Sequence, residues 1–420
     1  KTKPVIKEAN ILALRGGYAY CDATETTLAP TLVKPAKLAS GKYRSITGNL
    51  AVAMGLVAAS EKSGMGVFYS GYPITPASEI LHEMFRYENF NIKIFQAEDE
   101  IAAIGAALGA SYTGKIGVTA SSGPGIALKS ETMSLAVMTE LPLVIIDVQR
   151  SGPSTGMPTK TEQADLNMAI FGRHGESSVP VIAASRPADC FATIYEATRI
   201  SVKYRIPVIF LSDGYIANGS EPWPLPDPDK LPEISANFET NPDSYEPYAR
   251  DGETLARKWA TPGTAGFEHR IGGLEKSDLS GDVSYDPDNH HKMTLLRNEK
   301  LERIKNDMLD LYQDGEDSGD ILLIGWGSTY GAIRTAVEMF RKEKNGKRIT
   351  HIHLKWLNPL NKQVDHIIRN FNHVLVPEIN LGQLRRILRA RFLIDIHGFN
   401  LVRGLPFTAT EIFNEIKKYV

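Results

Sequence analysis

Three consecutive acids, Glu98, Asp99 and Glu100, stand between the extended run IFQA and the stretch IAAIGAALGASY, where small residues recur at 102, 103, 105, 106, 107, 109 and 110. Acids at a helix start complement its free N–H groups and its dipole, so capping alone accounts for such a run. A carboxyl held among alanines also binds a proton more readily than one in water. A second group lies upstream, in Gly71–Tyr72–Pro73–Ile74–Thr75–Pro76, where two prolines flank a single threonine between a strand and the helical stretch PASEILHEMF. The loop is stiff and presents the Thr75 hydroxyl; read alone, it is equally a rigid turn whose threonine caps the helix. A third group follows the apolar strand LPLVIIDVQ, where Arg150 opens SGPSTGMPTKTEQADL. Glycine, proline and hydroxyls in that density suit close approach of a backbone to a ligand. Gly123–Pro124–Gly125 is another tight strand-to-helix turn.

The elements that must carry these groups alternate. From the capping cluster Ser45–Asn49 to about residue 218, strands (GVFYSGYP, NIKIFQ, KIGVTASSG, LPLVIIDVQR, IPVIFLSDG) alternate with helical stretches. Near-continuous apolar strands belong to a parallel sheet covered on both faces, so the class is α/β. Open sheets of this kind bind ligands at the carboxyl ends of their strands, and all the groups above follow a strand. Residues 222–288 are rich in Pro, Asp and Gly and read as an extended insertion. Residues 290–312 predict a charged amphipathic helix with the stripe Met293, Leu296, Leu301, Ile304, Met308 and Leu311. A second α/β unit starts at Gly319, with strands ILLIGWG, ITHIHLKWL and HVLVPEIN and helices YGAIRTAVEMFRKE, VDHIIRNF and GQLRRILRARF. Residues 1–44 read as an arm or linker.

Several functions are set aside. The net charge of −2 and the lack of a basic cluster argue against nucleic acid. No run is apolar for the length of a membrane span, and no signal-peptide core is present, so a reducing cytoplasm is the simplest compartment. Two cysteines, Cys21 and Cys190, hold no iron–sulfur cluster alone and sit in no CxxC pair. Gly109–Lys115 spells GxxxxGK, but Ile116 stands where magnesium needs a hydroxyl, and the run ends a helix instead of opening one. Gly114 is better read as a glycine past a helix end. Gly325–Trp326–Gly327 with Gly331 is one residue too long for a dinucleotide turn, and the next strand ends without the ribose-binding acid.

GYPITPASE (71–79), ExxAxGAALGA (100–110) and DVQRSGPSTGMPTKTEQADL (147–166) together resemble the alpha subunit of the 2-oxoacid:ferredoxin oxidoreductases. FGRHGE (171–176), LSDGYIAN (211–218), VPEINLGQL (376–384) and LPFTATEI (405–412) extend the resemblance over nearly all of 45–420. EHRIGGLE (268–275) and DPDNHHKM (286–293) look most like the 2-oxoglutarate-using branch.

The resemblance implies a thiamine-diphosphate fold: residues 45–221 as the pyrimidine-binding domain, 222–318 as insertion and linking helix, and 319–420 as a transketolase-C-like domain. It implies oxidative decarboxylation of 2-oxoglutarate with coenzyme A to succinyl-CoA, electrons leaving to ferredoxin. Pyruvate, branched-chain or aryl 2-oxoacids are the alternative substrates within the family, and a scaffold subunit without catalysis is the alternative role. The thiamine diphosphate would be shared with a beta subunit, which would hold Mg2+ and the [4Fe–4S] cluster; this chain lacks a GDG…N motif and cluster cysteines. An (αβ)2 assembly with a gamma domain, fused upstream or separate, is implied, and the start at Lys1 fits a chain cut from such a fusion. Glu100 fits the family's register for the carboxyl that hydrogen-bonds the pyrimidine N1′ and so favours loss of the cofactor's C2 proton. Tyr72, Pro73, Ile74, Thr75 and Gly123 carry over as cofactor neighbours, and Thr75 and Arg150 as substrate residues. Arginine's planar fork matches a carboxylate at two points. Lys160 is a candidate for the distal carboxylate, Thr159 for the same region, and His174 for a structural role.

Overall fold

A computed structural model describes residues 3–24, 32, 34–36, 38–157, 159–343 and 346–420. Parts of the expected arm (25–31, 33 and 37) and Pro158 of the hydroxyl-rich loop lie outside the described residues. Residues 1–42 form one compact unit and 43–420 another. In the first, α1 (Pro4–Ala23) starts with proline in its first turn, where no N–H is needed, and buries none of its side chains. The mixed, short apolar runs there did not predict this helix.

The second unit runs β1 (Tyr43–Thr47), α2 (Gly48–Ser63), β2 (Val67–Gly71), α3 (Ser78–Met84), β3 (Ile92–Gln96), α4 (Glu100–Tyr112), β4 (Ile116–Ser121), α5 (Gly123–Leu128), α6 (Ser130–Thr139), β5 (Leu143–Gln149), α7 (Leu166–Phe171), β6 (Val181–Ala183), α8 (Asp189–Tyr204), β7 (Pro207–Asp213), α9 (Gly214–Asn218) and β8 (Ser220–Pro224). It continues with α10 (Pro287–Arg303), β9 (Tyr312–Asp314), β10 (Gly319–Trp326), α11 (Tyr330–Lys342), β11 (Ile349–Leu354), β12 (Trp356–Asn358), α12 (Gln363–Ile368), β13 (Phe371–Glu378), α13 (Gln383–Phe392), β14 (His397–Asn400) and α14 (Ala409–Ile416).

Two sheets organise these elements. The larger has the order β12-β6-β7-β5-β4-β2-β3, parallel throughout except for β12 on β6. β4, β5 and β7 are buried along their whole length, as strands covered by helices on both faces must be. The smaller sheet has the order β14-β13-β10-β11-β9, with only β9 antiparallel. The run ITHIHLKWL, which reads as one strand, breaks at Lys355: Ile349–Leu354 pair in the smaller sheet, and Trp356–Asn358 cross to the edge of the larger. The helix expected over 290–312 stops at Arg303 and passes into a 3-10 turn, leaving Met308 and Leu311 beyond it. Residues 225–286 carry no strand or α-helix, but they are no loose linker. Tyr248, Arg257 and Trp259 within them are almost wholly buried.

α4 lies on β4 and β2, and its small residues are used. A Cβ at Gly117 of β4 would stand 2.2 Å from the Ala107 carbonyl oxygen, so helix backbone and strand backbone meet with no side chain between them. Gly114 follows the helix end with φ +89°, a conformation that favours glycine.

Candidate active site

In the larger sheet the four neighbouring strands β3, β2, β4 and β5 end at Gln96, Gly71, Ser121 and Gln149. Within a few residues of those ends come Glu100, Thr75, Gly123 and Arg150. Candidates scattered over 76 positions of sequence therefore converge on one carboxyl edge, because parallel strands deliver their following loops to the same side.

The three acids separate by position. Glu98 is exposed. Asp99 is the N-cap of α4, its carboxylate accepting the Ala102 N–H at 2.7 Å. Glu100 is half-buried, and its side chain crosses the backbone of α5: a Cβ at Gly125 would lie 2.8 Å from Glu100 Cγ, 3.1 Å from its Oε1 and 2.0 Å from Ser121 Oγ. Only glycine leaves room there. Gly123 is equally confined, with both carboxylate oxygens of Asp165 at 2.8 Å from its missing Cβ.

Thr75 caps nothing, since α3 starts at Ser78 without a side-chain cap. It is exposed, and its main-chain oxygen accepts a 2.8 Å hydrogen bond from Arg150 Nη1. Arg150 Nε is buried and has no partner among the described residues. Of the loop before it, Tyr72 and Pro73 are exposed and Ile74 packs against the core. Thr159 and Lys160 are exposed at the far end of the loop after Arg150, and the stem of Lys160 lies against Gly404. His174 is exposed, with Nδ1 3.5 Å from Ser134 Oγ, while Arg173 beside it ties its own loop through three 2.8 Å bonds to the carbonyls of Ala169, Ile170 and Ser177.

Three residues went unread in the sequence. Asp147 of β5 is fully buried with neither carboxylate oxygen partnered, and it stands in register with Ser121, whose hydroxyl is also unpartnered. Burial, then the neighbouring Asp165, pushes its carboxyl well above the usual range. Asp165 is raised to about 7 by burial and then by Glu162, with Arg150 opposing. An acid inside the apolar strand LVIIDVQ is the signal that could have marked this pair. Lys129 is fully buried, its Nζ donating to the main-chain oxygen of Glu100 at 2.8 Å and to Thr119 Oγ1 at 3.2 Å; nothing in ALKSETM sets it apart from an exposed lysine.

The loop after Arg150 is held from across the chain. Gln163 donates to the Trp326 oxygen at 2.8 Å and accepts from the Ile379 N–H at 3.3 Å. Asn380 Nδ2 donates to the Gln163 oxygen at 2.8 Å, and Gln383 bridges the Ala164 oxygen and the Asn167 N–H. Buried Glu378 in turn accepts from Asn380, Trp326 Nε1 and the N–H groups of Leu384 and Arg385. The VPEINLGQ run is thus a clamp on the loop after Arg150. A cavity of about 370 Å3 lined by Asp189, Tyr312, Tyr330 and Lys355 lies elsewhere and includes none of the candidates.

The fold is shared with a split-gene transketolase in an inactive beta4 tetramer, at a TM-score of 0.50 and 13% identity, over 90% of this chain and 98% of that one. Residues 62–284 match the model of the pyruvate flavodoxin/ferredoxin oxidoreductase, thiamine-diphosphate-binding family, and the chain belongs to that family. A 2-oxoglutarate oxidoreductase subunit KorA of Mycobacterium tuberculosis is 52% identical over 98% of this chain, which spans 62% of that relative's length. A 2-oxoglutarate synthase subunit KorA of Methanothermobacter marburgensis is 32% identical over 81% of this chain and 88% of its own. A 2-oxoglutarate:ferredoxin oxidoreductase from Magnetococcus marinus, solved with 2-oxoglutarate, coenzyme A and succinyl-CoA bound, superposes with a TM-score of 0.88 at 34% identity, covering 98% of this chain and 70% of that one. Among the described residues no helix is long and apolar enough to cross a membrane.

Proposed function

We propose that this chain is the alpha part of a 2-oxoglutarate:ferredoxin oxidoreductase and supplies half of an active site that a beta subunit completes. The observation that carries the reading is the Arg150–Thr75 contact at the strand edge where α4 presents Glu100. The names of the relatives favour 2-oxoglutarate over other 2-oxoacids. Residues 45–221 serve as the pyrimidine-binding domain, 319–420 as the transketolase-C-like domain, 222–318 as the connecting segment and 1–44 as an arm.

The residues suit thiamine diphosphate. Glu100 is a half-buried acid whose side chain packs over Gly125, beside the buried, unpartnered Ser121 hydroxyl. When bound, the cofactor supplies the carbon nucleophile and takes up the electrons of decarboxylation. Glu100 holds and shares a proton at the cofactor's N1′. Tyr72, Pro73 and Ile74 shape the wall. Arg150, with Nη1 committed to Thr75 and Nε buried, has Nη2 for the substrate C1 carboxylate, and Lys160 takes the distal one. Mg2+ and the [4Fe–4S] cluster belong to the beta subunit, coenzyme A and ferredoxin are the co-substrates, and a gamma domain and an (αβ)2 assembly in a reducing cytoplasm complete the reading.

A covering partner also accounts for an otherwise costly feature. Gly105 and Gly109 lie on the open face of α4 with nothing within 4 Å of a Cβ, although each glycine costs a helix roughly 0.5–1 kcal/mol. Tyr72, Phe95, Ile101 and Leu128 are also exposed on unit 43–420. Co-purification with the beta subunit, followed by coenzyme-A-dependent dye reduction with 2-oxoglutarate, pyruvate, branched-chain and aryl 2-oxoacids, tests the reading. Preference for 2-oxoglutarate is expected; no turnover of any 2-oxoacid refutes the function, and preference for another acid refutes the substrate.

A further inference from the structure

Lys129 has no part in the chemistry above, yet none of its surface is exposed. An ammonium is buried only at substantial cost unless it is partnered. It leaves the backbone between α5 and α6, and its Nζ donates to two neutral acceptors, the Glu100 main-chain oxygen and Thr119 Oγ1. The charges facing it are the carboxylates of Glu100 and, more weakly, Asp99. Asp99 already serves the Ala102 N–H at the helix cap. Glu100 is therefore gripped twice by one segment: its side chain crosses Gly125, and its carbonyl is held from below by the lysine one helical turn further on.

We propose that Lys129 is a positioning residue for Glu100, fixing the first turn of α4 through the Glu100 main-chain oxygen and with it the course of the Glu100 side chain across Gly125. The proposal rests on the reading of Glu100 as the proton-sharing carboxyl. Burial brings Lys129 down to about 8 against the pull of the two carboxylates, so its charge is present at neutral pH and fades in mild alkali.

The test uses the assembled enzyme with its beta subunit, freed of cofactor, carrying 13C-labelled lysine. Lys129→Met is expected to shift the pH profile of C2 deuterium exchange in the reloaded enzyme. A folded variant with that profile unmoved overturns the proposal. Should Lys129→Met fail to assemble, Glu100→Gln provides the reverse measurement: Lys129 should titrate about one unit lower than in the wild type, and an unchanged Lys129 overturns the proposal equally. The two readings fail separately. Wild-type C2 exchange in Glu100→Gln defeats the role given to Glu100 and the proposal with it; lost exchange with an unmoved Lys129 titration defeats only the role of Lys129.

Discussion

Glu100→Gln preserves the shape of the side chain but removes its ability to give or take a proton. Steady-state turnover of the assembled enzyme should fall by about 100-fold or more with cofactor affinity largely kept, as isothermal titration would show. Arg150→Lys retains charge and loses the planar fork. A hydrogen bond to a charged group is worth about 1.5–3 kcal/mol, so KM for the 2-oxoacid should rise roughly 10- to 100-fold. Asp165 adds a pH dependence. Its carboxyl is raised in the folded chain to about 7, so the native state holds more protons than the unfolded one between the ordinary aspartate range and neutrality. Stability should therefore decline as pH rises through that window. Asp165→Asn should flatten the decline by on the order of 2 kcal/mol in urea unfolding at pH 5 and pH 7.5; an unchanged slope refutes the assignment.

At the level of elements, α4 makes opposite demands on its two faces. Gly117→Ala puts a methyl group 2.2 Å from the Ala107 oxygen, and backbone cannot yield as a flexible side chain does. A loss of about 1–3 kcal/mol is expected from chemical denaturation of the chain. Gly105→Ala enters open space and improves helix propensity, so the free chain should gain about 0.5–1 kcal/mol. The same substitution should weaken association with a beta subunit, measured by sedimentation; unimpaired assembly would place the partner elsewhere. Much of this level was readable beforehand. The Ala-rich run declared a helix that admits a close neighbour, and LPLVIIDVQ declared a buried parallel strand. The crossing of Trp356–Asn358 to the other sheet was not readable, because ITHIHLKWL is uniformly strand-like and nothing local marks Lys355 as the point of departure.

Across the whole molecule, the segment 225–286 is tied to the larger sheet's helices by a buried charge cluster. Glu140, at the end of α6, pairs with Arg250 of that segment at 2.5 Å and with Lys300 of α10. Burial favours its neutral form, but the two cations hold its carboxyl well below the usual glutamate range. A carboxyl depressed in the folded state contributes stability above its unfolded value, and that contribution disappears as pH falls below about 4.5. Glu140→Gln should cost about 3–5 kcal/mol at neutral pH, because it leaves two buried cations without their counter-charge, and should remove part of the acid sensitivity of the melting temperature.

The amino-acid order alone determined what is written locally: the alternation of strands and helices, the candidate residues at strand ends, and the motifs that carry the family. A period of two or of about 3.6 residues reports a face, and a glycine or proline reports a turn, without knowledge of the rest of the chain. Tertiary structure decided which of the three acids caps and which crosses Gly125, that Lys129 lies beneath Glu100, and that Gln163 is clamped by residues some 216 positions away. Those are pairings between distant segments. Each partner looks ordinary by itself, and only the packed chain brings the two within hydrogen-bonding distance.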